Sequence, residues 1–349
     1  MKLLVAGLGG IGQRHVRNLR TLLGPEAEIL AYRVRRDSPT LTDSLGVEPG
    51  AEVDEKYGLK VITDLDAALG EGPDAVLICN PSSLHLSIAL KAAHAGAAMF
   101  VEKPLSNDLA GVAELVDLVE SRRLVGLVGY QMRFHPGLRR AHELLEAGAI
   151  GRVVAVRIEV GEYLPGWHTY EDYRQMYASR ADLGGGVVLS QIHELDYVYW
   201  LFGMPRRVFA LGGHLTRLEV DVEDTASILL ECTVDGRAIP VHVHQDYIQR
   251  PPSRTCEIIG DAGKILIDLR QVTLTVFGVE GTMTESTANP DFARNQLFLD
   301  EMTHFLACLE GRETPSVTIR DGARSLAIAL AAKESIATGQ VVELSQAGL

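Results

Sequence analysis

The chain begins with a short apolar run that leads into a glycine-rich turn, and this feature most constrains how it can fold. The run from Lys2 to Ala6 is followed by Gly7-Leu8-Gly9-Gly10-Ile11-Gly12, a G-x-G-x-x-G segment. Gly7 permits a tight turn, Gly9 lets backbone approach a pyrophosphate, and Gly12 allows a helix to pack closely on a strand. With a strand before it and an amphipathic helix after it, the segment predicts a dinucleotide-binding unit whose phosphates lie at the helix N-terminus.

The first part of the chain alternates short apolar runs with helical stretches, which is typical of a parallel sheet covered on both faces. The predicted strands are 2–6, 28–33, 60–62, 75–79, 98–101 and 125–130, and the predicted helices are 11–23, 84–95 and 108–122. The pattern therefore predicts a doubly wound α/β domain over residues 1–130, within a chain of 349 residues that is long enough for two domains.

Beyond about Gly151 the apolar runs are separated mainly by turns, which favours an antiparallel sheet. The predicted strands are 153–161, 208–213, 226–234, 239–245, 255–260 and 273–277, and the predicted helices are 136–147, 191–202, 291–309 and 321–338. We expect a second, α+β domain over residues 131–349, with helices on one sheet face. Packing of the C-terminal helices back onto the first domain stays open.

Composition excludes several classes of function. A net charge of −13 disfavours a nucleic-acid partner, and no apolar stretch approaches the length of a membrane span. Four widely spaced cysteines suggest neither a zinc site nor disulfides, so we expect reduced thiols in the cytoplasm. His242 and His244 alternate on a predicted strand without further ligands nearby, and we expect no metal.

The residues after the second predicted strand bear on cofactor choice. NAD-binding units usually place a carboxylate about 20 residues past the glycine motif, to hold the ribose 2′-hydroxyl. Here Arg33 stands 21 residues after Gly12, followed by Arg35 and Arg36. Arginine pairs with the 2′-phosphate of NADP, so NADP is favoured. Asp37 keeps NAD possible.

Three further motifs occur in a characteristic order. They are Asn80-Pro81 followed by His85, the run Phe100-Val101-Glu102-Lys103-Pro104, and the triplet Gly184-Gly185-Gly186 that leads to His193 and Asp196. Together with the glycine turn, they resemble the Gfo/Idh/MocA family of NAD(P)-dependent sugar and inositol dehydrogenases. The resemblance extends over nearly the whole chain.

The resemblance implies a nicotinamide-binding Rossmann domain, followed by a domain with a large open sheet that often forms a dimer or tetramer interface. It also implies that Lys103 and His193 lie beside the nicotinamide. The carboxyl ends of the parallel strands, where ligands of such sheets collect, carry Asn80 and Lys103. The expected cofactor-binding residues are Gly7, Gly9, Gly10, Ile11, Gly12, Arg33, Arg35, Arg36, Asn80, Pro81, His85, Glu102, Lys103, Gln131 and Arg133. For Gln131 and Arg133, a hydrogen-bond set at the domain hinge is the alternative.

The expected chemistry is hydride transfer from a carbinol carbon, which requires that the hydroxyl proton also leaves. His193 is the expected proton acceptor, since imidazole titrates near neutral pH, and Lys103 is expected to hydrogen-bond the same oxygen. Many family members place an Asp a few residues before this His, but here the segment reads Leu189-Ser190-Gln191-Ile192-His193. Ser190 or Gln191 could bind substrate hydroxyls instead, or Glu194 or Asp196 could orient the imidazole. Asp196 could equally point into the core or cap a helix.

The stretch from Tyr163 to Arg174 is polar and aromatic without clear periodicity, which suits a loop that binds a sugar ring. Trp167 and Arg174 are its expected substrate contacts. Arg254 could either pin the 260–263 turn or meet a substrate carboxylate. His15 is expected to pack near the phosphate turn without a chemical role.

The sequence therefore predicts an NAD(P)-dependent oxidoreductase that interconverts a secondary alcohol and a ketone on a sugar, cyclitol or nucleotide-linked sugar. We expect a homodimer or homotetramer formed through the C-terminal sheet. One alternative is an enzyme that cleaves glycosides through transient oxidation by bound NAD. The other is a regulator that binds nucleotide and sugar without chemistry, although the presence of both Lys103 and His193 disfavours it.

Overall fold

A computed structural model describes residues 1–34 and 39–344 of the chain. Its first sheet consists of β1 (Lys2–Ala6), β2 (Glu28–Tyr32), β3 (Lys60–Ile62), β4 (Ala75–Ile78), β5 (Ala98–Glu102) and β6 (Gly126–Gly129). The strand order is β3-β2-β1-β4-β5-β6, and all neighbours are parallel. The predicted doubly wound sheet is confirmed. Its order reverses between β1 and β4, the place where such sheets bind ligands.

Helices connect these strands. They are α1 (Gly10–Leu23), α2 (Val53–Tyr57), α3 (Leu65–Gly70), α4 (His85–His94) and α5 (Val112–Ser121). The sequence did not predict α2 and α3, because helices of five and six residues are too short to display a helical period. Each long helix places buried apolar residues on the sheet, as Val16 and Leu19 of α1 illustrate.

The second sheet is mixed and mostly antiparallel. Its strands are β7 (Val153–Gly161), β8 (Arg207–Gly213), β9 (Thr225–Val234), β10 (Arg237–Asp246), β11 (Ser253–Gly260), β12 (Gly263–Asp268), β13 (Thr273–Gly278), β14 (Met283–Ala288) and β15 (Val342–Glu343). The order is β14-β13-β12-β11-β7-β10-β9-β8-β15, and among its described pairings only β7 with β10 is parallel. This confirms the predicted second fold class.

Three of these strands were not predicted. Nearly every residue of β14 is exposed, so its sequence carries no alternation of apolar and polar residues. It becomes a strand by pairing with β13. β12 follows β11 through a tight turn at Asp261 and Ala262, and β15 has only two residues.

The remaining helices are α6 (Pro136–Glu146), α7 (Val187–Ser190), α8 (His193–Phe202), α9 (Asn295–Leu309) and α10 (Ile319–Thr338). One face of the second sheet is buried, as the side chains of Ile228 and Val243 show. The opposite face leaves Leu211 62% and Leu229 48% exposed. The sheet is therefore covered on one side and open on the other.

The end of the chain packs against the first sheet. The Val128 N–H of β6 donates to the Val317 carbonyl at 3.1 Å. A Cβ atom added to Gly126 would lie 2.7 Å from Ile319, and one added to Gly322 would lie 2.6 Å from Val128. The two glycines thus allow the start of α10 to lie directly on β6.

Across the described residues, the structure contains no helix that is long and apolar enough to cross a membrane.

Candidate active site

The glycine turn between β1 and α1 leaves room for a ligand at one residue and none at two others. A Cβ atom on Gly7, whose φ is +97°, would lie 2.9 Å from the Cys79 carbonyl, and one on Gly12 would lie 2.0 Å from the Gly7 oxygen. By contrast, nothing lies within 4 Å of a Cβ atom built on Gly9. Gly7 and Gly12 therefore serve packing, whereas Gly9 presents open backbone beside the N-terminus of α1, which favours an anionic group.

A tyrosine that the sequence analysis did not single out lies at this turn. A Cβ atom on Gly10 would be 2.9 Å from the Tyr170 hydroxyl, which comes from the loop after β7. Burial, followed by the neighbouring Glu171, raises the pKa of Tyr170, so the hydroxyl keeps its proton and is a donor. Its place in the stretch from Tyr163 to Arg174 was the only signal.

The arginines expected to select the cofactor are only partly described. Arg33 follows β2 and is 6% exposed. Arg35, Arg36 and Asp37 lie outside the described residues.

His85 braces the ends of two strands. Its Nδ1 lies 2.7 Å from the Pro104 carbonyl oxygen, and its Nε2 lies 2.7 Å from the Asn80 carbonyl oxygen. Burial lowers the pKa of His85, which outweighs the two carbonyl contacts that raise it. Asn80, with Pro81 behind it, is thereby tied to the segment that bears Lys103, and the Asn80 Oδ1 is buried without a partner among the described residues.

Glu102 connects the end of β5 to α1. Its Oε1 lies 2.6 Å from the His15 Nε2, and its Oε2 accepts the Lys103 backbone N–H at 3.2 Å. Burial alone would raise the pKa of Glu102, but the His15 hydrogen bond and the His15 and Lys103 charges together hold it below its usual value. The carboxylate thus joins the helix of the glycine turn to the backbone of Lys103.

Lys103 and His193 are brought to the same place by the segment that leads into α8. The Lys103 Nζ donates to the Ser190 carbonyl at 2.8 Å, one turn before His193. His193 begins α8, is 5% exposed, and packs edge-on against Tyr130 with ring centroids 5.8 Å apart. Its Nδ1 has no hydrogen-bond partner in the described part of the chain.

The electrostatic environment keeps the His193 imidazole neutral. Burial lowers its pKa well below the usual value, and the charges of Lys103, Arg254 and Arg294 lower it further. A neutral imidazole can accept a proton, which is the form that alcohol oxidation requires.

The two carboxylates after His193 do not orient its imidazole, so that expectation was wrong. Asp196 accepts two hydrogen bonds from the buried Arg133 guanidinium, at 2.7 and 2.9 Å, and a third from Ser325. Glu194 is paired with Arg254 through contacts of 2.7 and 3.0 Å. Both carboxylates point into the core, the other placement considered for Asp196.

These pairs also locate three other residues from the sequence analysis. Arg133 is 7% exposed, and its ion pair with Asp196 corresponds to the hinge hydrogen-bond alternative. Gln131 lies beside it, with a buried Oε1 that lacks a partner among the described residues. Arg254 neither pins the 260–263 turn nor is free for a substrate carboxylate, because Glu194 occupies it.

The side-chain amides of Gln191 and Gln245 form hydrogen bonds next to Ser190. The Gln245 Nε2 donates to the Gln191 carbonyl at 2.6 Å, and the Gln191 Nε2 donates to the Asp246 carbonyl at 3.1 Å. In the described structure, the Ser190 Oγ and the Oε1 atoms of Gln191 and Gln245 are buried without partners. Gln245 was missed because its strand pattern contained no chemical signal.

The two predicted loop contacts differ in their surroundings. Trp167 packs edge-on against Tyr247 at 5.4 Å, and its buried Nε1 has no partner in the described region. Arg174 is exposed and paired with Asp172 at 2.6 Å and with Glu219 at 3.2 Å. Its guanidinium is therefore occupied by two carboxylates of the protein, one in its own loop and one between β8 and β9.

The two histidines of β10 have ordinary partners. His242 contacts Ser227, and His244 contacts Asp246. No group of metal-ligating side chains was found among the residues that the structure describes.

The doubly wound parallel sheet with a glycine turn at its switch point is the architecture of a Rossmann domain, which defines the class of protein as an oxidoreductase that binds a nicotinamide cofactor. Residues 1–130 match the model of an oxidoreductase family with an NAD-binding Rossmann fold, and residues 138–266 match the GFO/IDH/MocA C-terminal domain. The chain belongs to the Gfo/Idh/MocA family of oxidoreductases and is a dehydrogenase or reductase acting on CH–OH groups.

Curated relatives and a solved structure agree with this assignment. The chain is 27% identical to a myo-inositol 2-dehydrogenase of Thermotoga maritima, covering 99% of both chains. It is 28% identical to an NAD⁺-dependent scyllo-inositol 2-dehydrogenase of Bacillus subtilis, covering 97% of this chain and 95% of the relative. A levoglucosan dehydrogenase, solved with NADH and levoglucosan, shares the fold with a TM-score of 0.82 at 20% identity over 99% of this chain and all of the other.

Proposed function

We propose that this enzyme interconverts a secondary alcohol and a ketone on a sugar-like or cyclitol-like substrate, with Lys103 and His193 acting on the substrate oxygen. The observation that carries the proposal is the Lys103 Nζ held at 2.8 Å by the Ser190 carbonyl, on the segment that begins the helix of His193. Lys103 follows β5, and His193 packs against Tyr130, which follows β6, so we infer that both side chains serve a ligand at the carboxyl end of the Rossmann sheet.

The residues of the turn fit a dinucleotide. Gly9 offers unobstructed backbone, the first turn of α1 offers N–H groups, and Asn80 offers an unpartnered buried oxygen. Gly9, Gly10 and Ile11 would hold the diphosphate, with Tyr170 as a further donor, while Gly7 and Gly12 would shape the turn through close packing. Asn80, Pro81, His85 and Glu102 would shape the nicotinamide side. When bound, the cofactor accepts the hydride from the carbinol carbon.

Two residues of the chain act on the substrate hydroxyl: one accepts its proton, and the other stabilises the charge that develops on its oxygen. Neutral His193 takes the hydroxyl proton as the hydride leaves, and Lys103 donates a hydrogen bond to the same oxygen. The Ser190 carbonyl holds Lys103 in place. In reduction, the same groups work in the opposite direction, with His193 returning the proton.

Substrate hydroxyls would be bound by the acceptors that lack partners. The Ser190 Oγ and the Gln191 and Gln245 Oε1 atoms are buried and need donors. The Ser190 carbonyl accepts from Lys103, and the adjoining Gln191 carbonyl accepts from Gln245. Trp167 supplies an aromatic face. Arg174 would contribute through the shape of its loop.

We also propose that the enzyme prefers NADP, accepts NAD, works in the cytoplasm and divides into domains after Tyr130. Arg33 at the end of β2, with Arg35 and Arg36, supports the cofactor preference by its charge. The open sheet face supports assembly into a homodimer or homotetramer, because exposed apolar patches mark interaction surfaces.

The test combines binding and turnover. Purified protein is titrated with NADPH and NADH by cofactor fluorescence, and a panel of inositols, hexoses and anhydrosugars is followed by nicotinamide absorbance. We expect binding of both cofactors, tighter for NADPH, and net reduction of the cofactor by at least one polyol. Cofactor binding with no turnover across the panel would favour the regulator alternative, and equal affinities would reject the NADP preference.

A further inference from the structure

One loop of the second domain touches the glycine turn of the first. Residues 163–174 follow β7, and we call them the aromatic loop. At its start, the Leu164 N–H donates to the Tyr247 carbonyl at 3.1 Å, which fixes the loop to the end of β10. Further along, the Tyr170 hydroxyl lies 2.9 Å from the position that a Cβ atom on Gly10 would take, at the start of α1. The aromatic loop therefore extends from the second sheet to the turn proposed to hold the diphosphate.

The Tyr170 ring is supported within the aromatic loop. His168 stacks on it, with ring centroids 5.2 Å apart and 17° between the planes. The His168 Nδ1 in turn lies 2.8 Å from the Glu171 Oε1. The other two atoms nearest to the Gly10 Cβ position are leucine methyl carbons of the first domain. The Tyr170 hydroxyl is thus the polar group that the second domain presents at this point of the turn.

The same loop is connected to the segment that holds the reactive ammonium. Trp167 packs edge-on against the buried Tyr247, with ring centroids 5.4 Å apart. The carbonyl of the preceding residue, Asp246, accepts a hydrogen bond from the Gln191 Nε2 at 3.1 Å. Ser190 adjoins Gln191, and its carbonyl holds the ammonium at 2.8 Å. One short loop therefore has contacts on both sides of the candidate site.

We propose that Tyr170 couples the cofactor site to Trp167, by donating a hydrogen bond to the diphosphate at the glycine turn and so fixing the loop that places Trp167 beside the substrate. A phenol hydroxyl can donate to an anionic oxygen, and such charge-assisted bonds are the stronger class. The two residues stand three positions apart, so a restraint on one also restrains the other. This inference rests on the proposed function, which puts the diphosphate at Gly9 and Gly10.

The competing interpretation is that the Tyr170 hydroxyl obstructs the turn. A group 2.9 Å from the Gly10 Cβ position would then have to leave before a diphosphate could bind. The two interpretations predict opposite effects of removing the hydroxyl. Loss of a donor weakens diphosphate binding, whereas loss of an obstruction strengthens it.

Trp167 itself can report the coupling. The chain contains two tryptophans, and the second, Trp200, lies in α8 and stacks on His142 at 4.9 Å. Trp200→Phe keeps an aromatic ring there and leaves Trp167 as the single tryptophan. The probes are ADP-ribose and its 2′-phosphate, which carry the diphosphate without the nicotinamide ring, and adenosine, which lacks the diphosphate. We expect ADP-ribose or its 2′-phosphate to reduce acrylamide quenching of Trp167 by about half as the loop becomes ordered, and adenosine to leave it unchanged.

The decisive variant is Tyr170→Phe in this background, which removes one hydroxyl and keeps the ring that stacks on His168. Loss of a hydrogen bond to a charged group should weaken ADP-ribose binding about ten-fold, and saturating ADP-ribose should no longer reduce the quenching. In the protein with both tryptophans, isothermal titration should show the same loss of affinity for Tyr170→Phe.

Tyr173→Phe is the matched control. The Tyr173 hydroxyl belongs to the same loop, but it accepts the Glu219 N–H at 3.1 Å within the second domain. This variant should retain both the affinity for ADP-ribose and the ligand-induced change in quenching.

The inference is overturned if saturating ADP-ribose and its 2′-phosphate leave the quenching of Trp167 unchanged, or if adenosine alone produces the change. It also fails if Tyr170→Phe keeps the ligand-induced change at saturation, whatever its affinity. Tighter ADP-ribose binding by Tyr170→Phe would show instead that the hydroxyl obstructs the turn. Failure of the wild type to bind NADH, NADPH and ADP-ribose would contradict the proposed function itself, and this inference with it.

Discussion

The imidazole of His15 on α1 and the carboxylate of Glu102 at the end of β5 are joined by a contact of 2.6 Å, and both side chains are buried. One residue further on stands Lys103. The helix that presents the glycine turn and the strand that presents the reactive ammonium are therefore fixed to each other. This pair fixes the position of the Lys103 backbone relative to the glycine turn.

Replacing Glu102 with Gln should destabilise the protein at neutral pH by about 2 kcal/mol, because it removes a buried carboxylate that accepts hydrogen bonds from His15 and from the Lys103 N–H. The pKa of Glu102 is lowered in the folded protein, so the ionised carboxylate stabilises the fold above its unfolded pKa, and this stabilisation is lost as pH falls through the lower folded pKa. Urea unfolding at pH 7 and in the acidic range should thus show a difference that shrinks with acid. Glu120→Gln, at an exposed ion pair with Arg320, should change little. A difference that does not vary with pH would contradict this account.

Lys103→Ala and His193→Ala should each lower turnover at least 10²-fold, since each removes a group that handles the substrate oxygen. Cofactor affinity should stay nearly intact, because the diphosphate is held at the glycine turn. Steady-state kinetics and NADPH fluorescence titration would check both. If turnover is unchanged in both variants, the assignment of these residues fails.

The pH dependence should reflect a neutral His193. Burial, aided by Lys103, Arg254 and Arg294, lowers its pKa well below 6.5, so the imidazole becomes protonated only in more acidic solution. Alcohol oxidation needs the neutral form, and its kcat/KM should fall only well below pH 6.5, whereas ketone reduction should be favoured there. Profiles of kcat/KM in both directions would test this. An oxidation profile that already declines above pH 6.5 would be inconsistent with it.

The glycine turn offers a matched pair of substitutions. Gly9→Ala meets no atom within 4 Å, and its φ of −70° is accessible to alanine, so the fold should keep its stability within about 0.5 kcal/mol. The methyl group should nevertheless obstruct the diphosphate and weaken NADPH binding at least ten-fold. Gly12→Ala should be strongly destabilised, because its Cβ atom would lie 2.0 Å from the Gly7 oxygen. Melting curves with and without NADPH would separate the two effects; normal NADPH affinity in Gly9→Ala would place the diphosphate elsewhere.

The open sheet face should form the subunit interface. Leu229→Glu introduces a charge at a 48% exposed leucine on β9, an interior strand of the sheet, and should shift the protein towards monomers. Light scattering after size-exclusion chromatography would measure the mass. Val279→Glu, at an exposed turn after β13, is the control. A monomeric wild type, or no change in Leu229→Glu, would argue against this interface.

The doubly wound first domain and the α+β second domain could both be predicted, because their buried strands appear in the sequence as short apolar runs. β4, for example, is four apolar residues that are completely buried. β14 was not predictable, since its mostly exposed residues carry no apolar alternation and the strand is defined by its pairing with β13. The pairing of Asp196 with Arg133, 63 residues apart, likewise depends on how two elements meet.

The candidate site likewise contains residues that could be predicted from the sequence and residues that could not. Lys103 and His193 could be identified from motifs, because their chemistry depends on residue type. The positions of Tyr170 over Gly10 and of Gln245 beside Gln191 could not, since each depends on a loop or strand far along the chain. Arg254 shows the reverse case, in which a suitable residue type was already engaged by Glu194.

The hydrogen bond from Val128 to the Val317 carbonyl has a consequence for how the chain matures. The outer edge of the nucleotide-binding sheet is finished by a segment synthesised nearly two hundred residues later. During synthesis on the ribosome, β6 of the first domain therefore stays uncovered until the residues around Val317 and the start of α10 have been made. A fragment ending at Tyr130 would expose that same surface to solvent and to other chains.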